Sequence, residues 1–259
     1  MARVLRMAGR YYRSLPIDRT GYETTRVELE AERTTLVVMH CWDIGCEGGP
    51  EVDPRFCVGM GYYEDFGEAE RIMREVIRPC MEAARRAGVL VAHVESPTIG
   101  VKHPEAQEEL DPPGSPGEPI REVVPGWREQ MAARSHGADY ATRSPYGRMD
   151  RAGIVAPRPG EPFAYQTGQF HRLLRRRGIE NLIYTGFATD MCVLRAPGGI
   201  EPMAPYSYRL YLMRDATLGV ELPVSFEERV ATRWGMAYFE THYGDTVLSA
   251  DFIDACEAL

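Results

Sequence analysis

The chain has 259 residues, with 38 aspartates and glutamates against 30 lysines and arginines, for a net charge of −8. That length suits one large α/β domain or two small ones, and the acidic balance excludes a broad nucleic-acid-binding face, which would be basic. No apolar run reaches the length of a membrane span, and MARVLRMAGRYYRS at the start lacks the apolar core of a signal peptide, so a cytoplasmic location is expected.

Residues 1–33 are polar and read as an extended N-terminal arm that packs on a neighbouring subunit. The run Thr35 to Cys41 is continuously apolar and β-branched, as in a strand buried on both faces of a parallel sheet. A glycine- and aromatic-rich loop follows over 44–66. Glu68 to Ala87 reads as a helix with Ile72, Val76, Ile77, Cys80, Met81 and Ala84 on one face, kinked at Pro79 and ended by Gly88. Val89 to Val94 is the next strand. Residues 96–162 are rich in proline and read as an inserted loop or cover, which includes Trp127. A third strand is expected near Ala152 to Ala156, and a helix over Thr167 to Arg177 ended by Gly178.

The most informative segment is Asn181 to Leu194, NLIYTGFATDMCVL. It reads as a buried strand, a glycine turn at Gly186 and a helix start. Thr189 and Asp190 are the candidate N-caps, which places Cys192 in the first helical turn. Backbone N–H groups there lack helical partners and the dipole is positive, which biases a thiol toward thiolate. The same N–H groups suit an oxyanion. Pro197, Gly198 and Gly199 imply a short helix behind the cysteine. Tyr208 to Met213 is a fifth strand, Ser225 and Glu228 suggest a capping box for a helix to about Glu240, Val247 lies in a sixth strand, and 251–258 is a terminal helix. Alternating strands and helices imply a doubly wound, Rossmann-like open parallel sheet of about six strands with helices on both faces.

The segment Gly186-Phe187-Ala188-Thr189-Asp190-Met191-Cys192-Val193 resembles the G-x-A-T-D-x-C-V signature of the isochorismatase-like cysteine hydrolases, a superfamily that includes nicotinamidases and carbamoylsarcosine amidohydrolases. The looser resemblance runs from about Thr34 to the C-terminus, so the expected organisation is an arm over 1–33 and a hydrolase domain over 34–259 with the insert at 96–162. The resemblance implies strand order 3-2-1-4-5-6, which sets the ends of strands 1 and 4 together. It also implies a non-proline cis peptide at Phe187–Ala188 and a homo-oligomer, often a dimer or tetramer.

An aspartate–lysine–cysteine triad is implied as well. Here the aspartate position falls on His40, with Asp43 matching a following family position. The lysine position falls near Arg158, since Lys102, the one lysine, belongs to another segment. Histidine activates cysteine in other enzymes, whereas arginine stabilises charge but transfers no proton. The expected site is Cys192 as nucleophile, His40 or Asp43 managing the proton, and Arg158 as the cation. Phe187, Ala188 and Thr189 frame the oxyanion or substrate, and Trp42, with Tyr62 and Tyr63, lines a pocket.

The expected reaction is hydrolysis of a small amide or ureido compound through a thioester. Two alternatives stay open: an inactive relative that binds a small molecule or a protein, and vinyl-ether hydrolysis as in the isochorismatases proper. No cofactor is called for. A metal near His40 and His93 is a minor option, as no close-spaced ligand pair supports it. The six cysteines, Cys41, Cys46, Cys57, Cys80, Cys192 and Cys256, are irregularly spaced and suggest no disulfide framework.

Overall fold

A central parallel sheet organises the protein, seen in a computed structural model that describes residues 3–56, 64–113 and 123–259. Its strands are β1 (Val4–Arg13), β2 (Gly21–Glu30), β3 (Thr34–Met39), β4 (Leu90–Val94), β5 (Phe163–Ala164), β6 (Asn181–Phe187), β7 (Arg209–Leu218) and β8 (Gly244–Val247). They pair in the order β2-β1-β8-β7-β6-β3-β4-β5. Read from β5 to β8, the six parallel strands follow the expected 3-2-1-4-5-6 order. Two antiparallel strands extend the β8 edge.

Those two strands replace the expected arm. β1 and β2 form a hairpin in register from Val4 opposite Glu30 to Arg13 opposite Gly21. β1 joins the sheet where Arg10 pairs with Thr246. The reason lies in a period-two pattern: Leu5 and Met7 on β1, and Val27 and Leu29 on β2, turn inward and are buried, while Glu28 and Glu30 alternate outward. Full burial of a leucine side chain is worth about 1.5–3 kcal/mol, ample to dock the hairpin. Arg10 Nε also donates to Glu240 Oε1 at 2.7 Å.

The β3 and β6 strands are buried at every position, as a sheet covered on both faces requires. On one face Leu36, Val38, Ile183, Tyr211 and Met213 pack with α1 (Glu64–Ile72), α2 (Arg78–Ala87) and the hairpin. A π-helical turn (Met73–Ile77) joins α1 to α2, and Arg78 N–H donates to the Met73 carbonyl. This widened turn absorbs Pro79, which has no N–H to offer. Small helices α3 (Pro97–Gly100), α4 (Trp127–His136) and α5 (Tyr140–Arg143) break up the inserted segment. On the opposite face Val37, Met39, Tyr184 and Leu212 pack with α6 (Thr167–Arg175), α7 (Cys192–Arg195), α8 (Ile200–Met203) and α9 (Val230–His242). A terminal helix, α10 (Ser249–Glu257), closes the chain.

Two local expectations fail. The strand expected at Ala152 to Ala156 is a 3₁₀ turn over Gly153–Val155, and the third parallel strand is the two-residue β5. Ser225 does not cap α9: its hydroxyl donates to Glu221 Oε2 and accepts from Leu222 N–H, which shapes a turn before a helix that starts at Val230. No helix among the described residues is long and apolar enough to cross a membrane.

Candidate active site

The adjacent strands β4, β3 and β6 end level with one another. Met39 pairs with Val94 on one side and with Gly186 on the other, and His40 N–H donates to the Val94 carbonyl at 2.9 Å. His40, Glu95 and Phe187 therefore leave the sheet side by side. Ligands in open α/β sheets bind outside these carboxyl ends, where strand order reverses.

Gly186 allows β6 to run this close to β3. Its φ is 103°, and a Cβ there would sit 1.9 Å from the Met39 carbonyl oxygen. The next peptide, Phe187–Ala188, is cis, as the resemblance implies. The chain then turns: Met191 N–H and Val193 N–H both donate to the Ala188 carbonyl, at 3.1 and 3.0 Å. Cys192 is the first residue of α7, which is only four residues long. It is partly buried, next to the exposed Met191.

Neither expected cap serves α7, which starts without a side-chain cap. The Thr189 hydroxyl is paired with that of Thr217 at 2.7 Å. Asp190 Oδ1 accepts from Val220 N–H at 2.8 Å. Both side chains tie the turn before Cys192 to the end of β7. Phe187, Ala188 and Thr189 are fully packed, so any substrate contact from them comes from the backbone.

The helix start does not lower the Cys192 thiol. Burial pushes it above its ordinary value; the Ala188 N–H works against this, and the charges of Asp190 and Glu95 add to the rise. One helical turn carries too small a dipole to outweigh loss of water.

His40 occupies the expected place at the end of β3, in a left-handed conformation with φ 49°. A non-glycine residue held there is strained, a condition that clusters at functional sites. Its ring is buried and neither nitrogen has a hydrogen-bond partner among the described residues, Cys192 included. Burial pulls its pKa down to about 4, so it is neutral and a weak base. Asp43 is tied elsewhere. Its Oδ1 accepts from Asp150 N–H at 2.8 Å, and its own N–H donates to the Asp150 carbonyl at 2.9 Å. It clamps the 149–152 segment against the end of β3.

Arg158 does not enter the site. Its side chain is exposed and bonds Glu82 on α2 at 2.8 Å. The nearer cation is Arg151, seven residues earlier. It bonds Glu105 at 2.6 Å, its backbone bridges to Trp42, and its charge acts on Glu95. Trp42 is buried edge-on to Tyr146, with ring centroids 5.7 Å apart, and 6.0 Å from His40. Its indole N–H has no partner among the described residues. Tyr62 and Tyr63 lie outside the described residues. His93 does not join His40: its Nε2 faces Glu161 at 3.1 Å. Among the described residues, no group of three or more His, Cys, Asp or Glu is arranged to hold a metal.

Sequence reasoning missed Glu95 and Ser96. Glu95 is 4% exposed, and neither its Oε2 nor the Ser96 hydroxyl has a partner among the described residues. Buried polar atoms in proteins are nearly always paired. Here Glu95, Ser96, His40 and Trp42 leave theirs open together, around three strand ends. The available signal was a carboxylate closing an apolar strand, VLVAHVE.

No protein-family model and no curated protein matches the chain. Solved structures do. A cysteine hydrolase from Pseudomonas syringae pv. phaseolicola 1448A aligns at 17% identity and TM-score 0.54, covering 89% of this chain and 95% of that one. A protein assigned as an isochorismatase from Burkholderia xenovorans LB400 aligns at 19% identity and TM-score 0.51, covering 87% and 88%. The sheet order and these alignments agree: the chain has the isochorismatase-like cysteine-hydrolase fold.

Proposed function

We propose that the protein is a cysteine-dependent hydrolase of a small amide or ureido compound. The observation that carries this reading is the placement of Cys192. It is a partly buried thiol opening a helix beside the carboxyl ends of the central strands, with the Ala188 N–H favouring its charged form. In this reading Cys192 Sγ attacks the substrate carbonyl carbon. The N–H groups of Ala188 and Cys192 hold the oxyanion, the C–N bond breaks, and water releases the acyl group from the thioester. The fold shared with a cysteine hydrolase supports the reading at the level of architecture.

The competing reading is a binding protein without turnover. Two observations favour it: neither ring nitrogen of His40 hydrogen-bonds the sulfur, and Arg158 stands on the surface with Glu82. Cys192→Ala separates the two. Assayed against a panel of small amides and ureido acids, wild type should release ammonia or amine and Cys192→Ala should release none while melting at an unchanged temperature. Turnover that survives the substitution removes the covalent mechanism.

A further inference from the structure

We propose that Glu95 is the proton carrier of this site, taking the Cys192 thiol proton and delivering it to the leaving nitrogen. This deepens the hydrolase reading and rests on Cys192 being the nucleophile. Glu95 follows β4 directly and stands beside His40 in the strand register, on the side of β3 opposite Phe187. Its N–H is fixed to the Ala164 carbonyl at 2.9 Å. The carboxyl group is buried, with Oε2 unpartnered among the described residues. A group in that state is either a cost to the fold or a tool kept for a ligand.

The surroundings suit proton exchange. The backbone N–H groups of Cys41 and Ser96 face the carboxylate. Arg151 favours its charged form and Asp150 opposes it, while its own charge is felt by the thiols of Cys41 and Cys192. His40, beside it, is neutral. Burial leads these influences and pushes Glu95 up to about 8. A carboxyl near that value both accepts and donates at neutral pH.

The steps balance. As Sγ forms a bond to the carbonyl carbon, the Sγ–H proton passes to the Glu95 carboxylate and the C=O π pair moves onto oxygen. When that pair returns, the C–N bond breaks with its electrons on nitrogen, and nitrogen takes the proton from Glu95. The freed carboxylate then takes a proton from water as the water oxygen attacks the thioester carbon. Collapse breaks the C–S bond, and the sulfur recovers the proton from Glu95. No further oxidant or reductant enters.

The probes are 4-nitrophenyl acetate for acyl transfer and iodoacetamide for thiol reactivity, each read by intact mass and peptide mapping on the full chain. Glu95→Gln should lower acetyl release by about 100-fold or more and accumulate acetyl-Cys192. Loss of the carboxylate that accepts the thiol proton should also slow Cys192 alkylation at pH 7.5 by about tenfold or more and remove the rise near pH 8 from its pH profile, a change that a merely structural residue would not produce. If Glu95→Gln releases acetate at the wild-type rate while Cys192→Ala forms no adduct, the nucleophile stands and Glu95 is not the proton carrier. If wild type neither releases acetate nor forms acetyl-Cys192, the hydrolase reading itself falls. Should Glu95→Gln fail to fold, Glu95→Asp keeps the carboxylate and carries the test. Its pH profile of acetyl release should shift from that of wild type, and an unchanged profile overturns the proposal.

Discussion

Gly186→Ala perturbs the one point where β6 touches β3 without room for a side chain. The added Cβ would lie 1.9 Å from the Met39 carbonyl oxygen, 2.8 Å from its carbon and 2.9 Å from the Met39 nitrogen. All three are backbone atoms of the central strand, so no rotamer change relieves the contact. The strands must part where Met39 pairs with Gly186. Two ladder hydrogen bonds left buried and unmade cost about 1–3 kcal/mol each, and a side chain at φ 103° adds about 1–3 kcal/mol. The total, about 3–6 kcal/mol at the lower and middle values, is a large part of the 5–15 kcal/mol that holds a typical domain. In urea unfolding followed by circular dichroism, the midpoint should fall by about 1 M or more. Gly160→Ala is the control, since Gly160 has φ 89° but nothing within 4 Å of the added Cβ; it should lose only the conformational part. If both variants unfold within about 0.3 M of wild type, the close approach of β6 to β3 is wrong, and with it the juxtaposition of His40 and Phe187.

Two further outcomes test the surroundings of the site. Glu161 accepts from Arg85 Nε at 2.7 Å, from Arg158 N–H at 2.8 Å and from His93 at 3.1 Å. Burial alone would raise its carboxyl, but these donors together hold it down at about 2, against an ordinary 4.5. A depressed acid stabilises the fold fully above its ordinary value and loses that contribution as pH falls toward its folded value. Glu161→Gln should therefore unfold at lower urea than wild type at pH 7, and the gap should narrow from pH 4.5 downward; a constant gap would show that the charge is not what the donors hold. Arg158→Ala should leave turnover on any substrate found unchanged and cost at most about 1 kcal/mol, because its ion pair with Glu82 is exposed. A tenfold loss of kcat would return Arg158 to the site.

The parallel core was legible because its strands are apolar throughout and its glycines stand at the turns. The order of those strands came from the resemblance, and it correctly set the end of β3 beside the end of β6. The hairpin was hidden by its polar outer face: Arg6, Glu28 and Glu30 mask the alternation that buries Leu5 and Leu29. Arg158 was chosen by sequence distance from the signature strand, which cannot show that a two-residue strand, β5, leaves that segment at the surface. His40 was placed correctly but not in its state, since burial, not sequence, decides that its ring stays neutral and unbonded. Glu95 is not legible in the sequence because the family resemblance marks the ends of the first and fourth strands, while the second strand ends beside them and carries the buried carboxylate.

In the proposed reaction Cys192 is the working nucleophile. Its most direct test is denaturing intact-mass spectrometry of the protein quenched in acid within its first turnovers of a small amide or ureido substrate, with the adduct mapped by peptide digestion. The account predicts an acyl group on Cys192 that hydroxylamine removes, and none on Cys41, Cys46, Cys80 or Cys256. Product release with Cys192 unmodified, or undiminished after its alkylation, would contradict it.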